Sequence, residues 1–428
     1  MMRILNLAYT CPWPPHGGND QRVWHLCRLL GRTHHQELLC RAVRREDAGQ
    51  YPRFHGEPIE VHNLFLPRPG PLRRLIKGLR YLAGTRPLLS AGFDFHPFTV
   101  RLKELIRDGR FDIIVMDGIW LGIYWPLIQS SGALRVLNHF DREAVSLRRH
   151  ARLFPPGWRR ALYSLDASRM ERLERRVIGS ADLVWVTSEV DRDAIMRDNP
   201  ALPVQVAANG VDCEEISARD PVPSRELLFV GTLSQYANSD AVTYFVREVF
   251  PLLKARVPDA VFRVIGRNPS PEILALGRVP GIEITGPVDD LSPWYQRCAA
   301  AVVPIRAGGG TRLKILEAMA YGRPVVSTAI GCEGIQAETG RHLVVADRPS
   351  EMADALRDVL TRPQYAAQLS REARKLVEER YSWHRIASRM QAVYEEAVKA
   401  KEAARKRQTH SLVGGAASPA GNRERIGA

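Results

Sequence analysis

The chain has 428 residues, 45% of them hydrophobic and 25% charged, and a formal net charge of +14. That length exceeds one ordinary core and suits two domains, and the apolar fraction excludes an intrinsically disordered protein. The cation excess asks for an acidic partner: nucleic acid, an anionic membrane or a phosphorylated small molecule.

The start, "MMRILNLAYTCPWPPHGG", has too short an apolar run before its prolines for a signal peptide. "RILNLAY" (3–9) predicts the first strand, and "DQRVWHLCRLLGRT" a helix after it. Residues 67–90, "PRPGPLRRLIKGLRYLAGTRPLLS", contain cations and no acid. Within them Leu72, Leu75, Ile76, Leu79 and Leu82 share one helical side, with Arg73, Lys77 and Arg80 elsewhere. This is the pattern of a helix lying on anionic lipid. "IWLGIYWPLI" (119–128) is the longest nearly apolar stretch, about half of the ~20 residues that a membrane-crossing helix needs.

Further strands are predicted at 111–118, 134–140 and 182–188, with a second basic run at 146–163. The alternation restarts after "VAANGVDCEEISARDPVPSRE" (206–226), with strands at 227–231, 260–266, 281–286, 300–305, 323–329 and 342–347. Apolar strands alternating with helices predict parallel sheets covered on both faces. The expected plan is two doubly wound α/β domains, residues 1–205 and 227–383, joined by a linker at 206–226. Residues 384–399 return to the first domain, and 400–428 form a disordered basic tail. The cysteines Cys11, Cys27, Cys40, Cys213, Cys298 and Cys332 show no CxxC spacing, which argues for reduced thiols over a disulfide frame or zinc site. Neither do His16, His34 and His35 make a metal site: one is in a loop and the other two are adjacent.

The most informative stretch is "PIRAGGGTRLKILEAMAYGRPVV" (304–326). A strand ends, glycines follow, and a helix opens with Arg312 and Lys314 although its N-terminus is already positive. An anion such as a diphosphate relieves that crowding, with glycine amides free to approach it. Glu317, three residues after Lys314, is placed to accept hydrogen bonds from a ribose diol.

"LKILEAMAYGRPVV" resembles the nucleotide-sugar signature of retaining glycosyltransferases of family 4, which have the GT-B fold. "PPHGGNDQR" (14–22) is similar to that family's N-terminal Gly-Gly loop and following arginine. "NGVD" (209–212), "LLFVGTLS" (227–234), "VIG" (264–266) and "YSWHRIASRMQAVYEEAV" (381–398) resemble its later pieces, in order. The resemblance implies two Rossmann-like domains facing each other across a cleft. It further implies metal-independent, hexosyltransferase-type transfer from a nucleoside diphosphate sugar to an acceptor hydroxyl, with no cofactor. Donor contacts fall on Gly17, Gly18, Gly231, Gly309, Gly310, Thr311, Arg312, Lys314 and Glu317. The family's first acid is replaced by Gly309, and no cation follows the "VG" strand from Gly231 to Thr243, so Arg312 and Lys314 are expected to take over the diphosphate. Acceptor contacts fall on Arg22 and His139, with His139 as the proton-handling group and Asp141 as its partner.

"PPHGG", "GGGTRLKILEAMA" and "GTLSQYANSDAV" together look most like exopolysaccharide transferases of bacterial exosortase (PEP-CTERM) systems. A lipid-linked glycan acceptor, at the inner face of the cytoplasmic membrane, suits the two basic runs of the first domain. A nucleotide-sugar 2-epimerase of the same fold and a non-catalytic sugar-nucleotide or glycan binder are the alternatives. No nucleic-acid-binding pattern accompanies the charge, so nucleic acid is not the expected partner.

Overall fold

The structure is a computed structural model. It describes residues 1–428 except 16–17, 43, 67–69, 71, 73–75, 77, 80, 82, 89, 91–92, 222, 308–311 and 415–428, and only the backbone of residues 153 and 408–414. The first domain is an eight-stranded sheet in the order β3-β4-β2-β1-β5-β6-β7-β8. Its strands are β1 (Arg3–Leu7), β2 (His35–Ala42), β3 (Gly49–Tyr51), β4 (Ile59–Phe65), β5 (Ile113–Asp117), β6 (Leu134–His139), β7 (Leu183–Val186) and β8 (Val204–Val206). All pair in parallel except β3, which runs antiparallel to β4 at the edge. The central runs "IIVMD" and "LVWV" are buried along their whole length, as strands with helices on both faces must be.

The second domain is a six-stranded parallel sheet in the order β11-β10-β9-β12-β13-β14. These strands are β9 (Glu226–Val230), β10 (Val261–Ile265), β11 (Ile282–Thr285), β12 (Ala300–Val303), β13 (Val325–Ser327) and β14 (Val344–Val345). That order is the doubly wound arrangement, and its direction of winding switches between β9 and β12. The loops leaving these two strands at their carboxyl ends therefore diverge and open a crevice.

The chain crosses between domains twice, and the crossings are bonded to each other. Val211 N donates to Tyr381 O at 2.8 Å, and Trp383 N to Val211 O at 3.2 Å. The helix Trp383–Gly414 then joins the first domain's core: Trp383, Ile386, Met390 and Tyr394 pack with Met2, Ile4, Leu26 and Trp185. It runs past residue 399, where the sequence pattern predicts a tail. Lys401 Nζ holds it down by donating to Ala133 O at 2.7 Å and to Asp182 at 2.8 Å. A charged side chain that completes a core helix reads, in sequence alone, like a solvated one.

Strands β2 and β4 also escape prediction from the sequence. Their polar residues Glu37, Glu60 and His62 interrupt the apolar run, yet Glu37 and His62 are buried. Glu37 accepts from Arg3 at 2.9 Å and bonds His62 at 3.2 Å, so the charge is neutralised where it lies. These contacts hold its carboxyl down at about 2 against the opposing effect of burial.

Candidate functional site

A cavity of about 190 Å³ sits at the β9/β12 switch point and reaches across to the first domain. Gly231, Thr232, Gly266, Arg267, Lys314 and Glu317 line it from the second domain, and Gly18 and Gln21 from the first. Close packing explains two of the glycines. A Cβ on Gly231 would stand 2.8 Å from Lys314 Nζ, and one on Gly266 would stand 1.9 Å from Gly231 O. Glycine thus lets the ends of β9 and β10 and the lysine share one small space.

Lys314 lies in the first turn of the helix Leu313–Ala320. Its ammonium donates to Asn238 Oδ1 at 2.7 Å and stands 4.1 Å from the centre of the Phe229 ring. Among the described residues it has no carboxylate ion-pair partner. Desolvation first, then neighbouring Arg312, push its pKa down to about 7; Glu317 opposes them weakly. A half-buried ammonium beside a helix N-terminus is a site in want of an anion. Glu317, three residues on, accepts from Gln21 Nε2 at 3.1 Å across the cleft and from Tyr295 OH at 3.5 Å. Burial raises its carboxyl above the usual range.

Arg312 is the cap residue of the same helix. Its charge faces Asp141 of the first domain and then Glu333, with desolvation the largest influence on it. The two cations therefore have different surroundings: Lys314 looks into the cavity, while Arg312 is balanced by an acid on the opposite wall. Gly17, Gly309, Gly310 and Thr311 lie outside the described residues.

The first domain's wall departs from the sequence-based expectation. Arg22 is 1% exposed and donates to Ala207 O at 2.7 Å, Ala208 O at 3.0 Å and Asn138 Oδ1 at 3.4 Å. It ties the first crossing to the sheet and does not point to an acceptor. Burying a guanidinium is costly unless its donors are used, and the crossing's carbonyls take Nη1 while Asn138 takes Nη2. Asn138 in turn donates to Asp117 Oδ1 at 2.7 Å.

His139, at the end of β6, is buried, and burial lowers its pKa to about 4, so the ring is neutral at pH 7. Its acid neighbour is Glu174, with Oε1 3.8 Å from His139 Nε2, and not Asp141. The reason is topological: β6 and the helix Trp158–Ile178 bring residues 139 and 174 together, while Asp141 lines a separate cavity with Asp191 and feels the charge of Arg312. Glu174 also accepts from Ala144 N at 3.2 Å, at the start of the helix Glu143–Leu153. Burial raises Glu174 to about 7 and, with Asp141 and Glu174 as neighbours, raises Glu143 to about 8. Glu174, whose ionisation falls near neutrality, thus stands 3.8 Å from a neutral imidazole, with Glu143 as a neighbour of Glu174.

Sequence reasoning missed Gln21, Asn238, Tyr295, Glu143 and Glu174. Only Asn238 left a signal, as a polar residue in the segment "GTLSQYANSDAV" that lacks a cation. For a metal, the described residues offer one group, His35, Glu37 and Glu60, whose ligand atoms lie within 4.8 Å of one another. Glu37 there is already bonded to Arg3 and two histidines, and none of the three lines the cleft cavity.

Two Rossmann-like domains with a cavity between them at the switch point define the GT-B class of fold. Comparison gives the domains their families. Residues 17–210 match the "Glycosyl transferase 4-like domain" model, and residues 224–362 the "Glycosyl transferases group 1" model. The first match falls on the eight-stranded domain and the second on the six-stranded domain.

Among curated proteins it is 27% identical over 263 residues to a D-inositol 3-phosphate glycosyltransferase of Saccharomonospora viridis. That match covers 53% of this chain and 58% of the relative, so the chain spans somewhat over half the relative's length. Among solved structures it is similar to sucrose-phosphate synthase from Thermosynechococcus elongatus, with a TM-score of 0.70 and 18% identity, over 94% of this chain and 100% of that one. It is also similar to Anabaena HepE in complex with UDP-glucose, with a TM-score of 0.62 and 15% identity, over 92% of this chain and 100% of that one. These likenesses support the fold.

Proposed function

We propose that the chain is a retaining glycosyltransferase. It moves a hexosyl group from a nucleoside diphosphate sugar to a hydroxyl of a lipid-linked glycan, in bacterial exopolysaccharide biosynthesis of the exosortase-associated kind. The observation that carries this reading is the Lys314 ammonium, half-buried at a switch-point cavity with no carboxylate partner among the described residues. In this reading the diphosphate lies against Lys314 and the helix amides, and Glu317 takes the ribose. The developing charge of the departing diphosphate then meets a cation already in position, and such preorganised stabilisation commonly contributes more to the rate than any other single effect. A fixed cation takes the part a divalent metal would play, so transfer is metal-independent. The acceptor approaches from the wall that holds His139, Glu143 and Glu174. The GT-B neighbours include a protein solved with UDP-glucose, which makes UDP-sugars the first probes.

The enzyme works against the inner face of the cytoplasmic membrane, with anionic lipid as its surface partner. No helix among the described residues is long and apolar enough to cross a membrane.

The test is a panel of nucleotide sugars scored by melting temperature, followed by product analysis with and without acceptor in the presence of EDTA. A donor at 100 times its Kd adds about 2.7 kcal/mol to stability, on the order of 5 °C in a domain of this size. Acceptor-dependent release of the nucleoside diphosphate, unaffected by EDTA, is the expected result. If no nucleotide sugar raises the melting temperature, the reading fails. A C2-epimerised product from donor alone would replace it with epimerase chemistry.

A further inference from the structure

The described aliphatic residues of the amphipathic segment after β4 are not buried; its Leu75 and Leu82 lie outside the described residues. Leu72, Ile76 and Leu79 are in helical conformation, spaced to share one face, and are 69%, 57% and 56% exposed. A helix packed on a core would show the opposite. The segment is nevertheless anchored. Tyr81, at its end, is buried, and its carbonyl accepts from Arg169 Nη1 at 2.8 Å. A few residues on, Leu88 N donates to Asp166. Both partners belong to the helix Trp158–Ile178. The apolar face is thus held outward by contacts on its other side.

Beside this anchor is a cavity of about 300 Å³ lined by Arg86, Arg169, Arg172 and Arg176, with no carboxylate in its lining. Arg86 lies 3.9 Å from Asp94. Arg172 and Arg176 have no ion-pair partner among the described residues. Arg86 and Arg169 have acceptors in Asp94 and Tyr81 O, so it is above all Arg172 and Arg176 whose mutual repulsion an anion in the concavity would relieve. Arginine forks suit the oxygens of a phosphate.

From this juxtaposition we infer that the arginine cavity receives the phosphate of an anionic phospholipid headgroup, while Leu72, Ile76 and Leu79 enter the acyl boundary beside it. The inference rests on the membrane-surface part of the proposed function and not on the transfer chemistry. An interfacial helix joins an apolar face to flanking cations, and lipid is the occupant that satisfies both halves. A soluble phosphate would fill the cavity and leave the leucines in water. The placement also bears on the cleft. Glu174, which stands by His139, lies between Arg172 and Arg176 in the sequence of one helix, and two residues turn an α-helix by about 200°. Headgroup site and acceptor wall are therefore opposite sides of the same helix.

The experiment is co-sedimentation of the full chain with vesicles of phosphatidylcholine alone and with phosphatidylglycerol added, without donor, at several salt concentrations. Wild type is expected to partition onto the anionic vesicles, less so as salt rises. Each arginine removed near the surface weakens binding about fivefold, so Arg172→Gln with Arg176→Gln should lose about 25-fold on anionic vesicles. Leu72→Ser, Ile76→Ser and Leu79→Ser together should abolish stable binding. Equal partition onto the two vesicle types, or a double arginine variant that binds like wild type, overturns the inference. Displacement by millimolar inorganic phosphate, with no lipid preference, reassigns the cavity to a soluble anion and equally overturns it. The melting response to UDP, measured on the same variants, should not change. Loss of vesicle binding with that response intact leaves the transfer reading standing. Intact vesicle binding with no response to any nucleotide sugar does the reverse.

Discussion

The two domains solve opposite electrostatic problems. On the second domain's side, burial strips a lysine of solvent until Lys314 titrates near 7, and the only polar partner of its ammonium among the described residues is the neutral Asn238. On the first domain's side, burial drives carboxyls up, Glu174 to about 7 and Glu143 to about 8, beside a histidine held neutral. One cause, desolvation, leaves one wall short of negative charge and the other holding protons. A leaving diphosphate suits the first; at the second, carboxyls that titrate near neutrality supply, in the proposed reading, an ionised fraction to take up the proton that an acceptor hydroxyl loses.

The comparison breaks most visibly if Lys314 is removed. Lys314→Ala should lower kcat/KM for the donor by about 10²–10³, the scale of deleting one preorganised electrostatic contact to a developing anion. Its pH signature is specific. The free lysine titrates near 7, and the diphosphate complex needs it protonated. Nucleotide affinity should then be flat below pH 7 and fall by up to tenfold per pH unit above it. In Lys314→Ala that slope should vanish. A variant whose affinity and slope match wild type would place the anion elsewhere.

Glu174→Gln tests the other wall, with a smaller effect. The amide keeps an oxygen for Ala144 N but cannot ionise. Turnover should fall about tenfold, below the full range for a general base, because in the proposed reading Glu174 acts through His139 and does not itself touch the acceptor. The ionisation near pH 7 should leave the acceptor-side profile, with donor binding unchanged. Stability supplies a check on sign. The carboxyl titrates higher when folded, so its contribution is present below about 4.5 and is lost as pH rises through 7. Glu174→Gln should remove that part of the decline. A tenfold loss of turnover with an unaltered pH profile would reduce Glu174 to a helix-end contact.

The two domains were unequally legible in the amino-acid sequence, for a physical reason. The strands of the second sheet show mostly as short apolar runs, which a largely nonpolar core covers, although β10 buries Arg263 between Glu226 of β9 and Glu283 of β11. In the first sheet β2 and β4 bury Glu37 and His62, and a buried ion pair is invisible until its partner, here Arg3 from β1, is known to be adjacent. The site divides the same way. Lys314 and Glu317 declare themselves by sitting on one short helix after a glycine run. Asn238 and Tyr295 arrive from two other helices of the domain, Gln21 from the other domain, and Glu174 lies 35 residues beyond His139. Only the fold makes them neighbours. Arg22 is the converse: its place after a Gly-Gly loop suggests a ligand contact, and the buried carbonyls of the crossing claim it instead.

The smallest predicted effect sharpens the line between the walls. Gln21 is the first domain's polar side chain at the cavity, and its amide occupies Glu317 Oε1, an oxygen that the proposed ribose contact needs. Ligand and glutamine then compete for one carboxylate. Gln21→Ala removes the competitor, so nucleotide affinity should tighten by two- to fivefold, about 0.5–1 kcal/mol for one hydrogen bond. The sign is the informative part. Calorimetry showing weaker binding would mean that Gln21 touches the nucleotide itself, and that the donor is clasped from both domains at once. Tighter binding would leave the second domain sole holder of the donor, with the first domain's helix closing over Glu317 when the cavity is free.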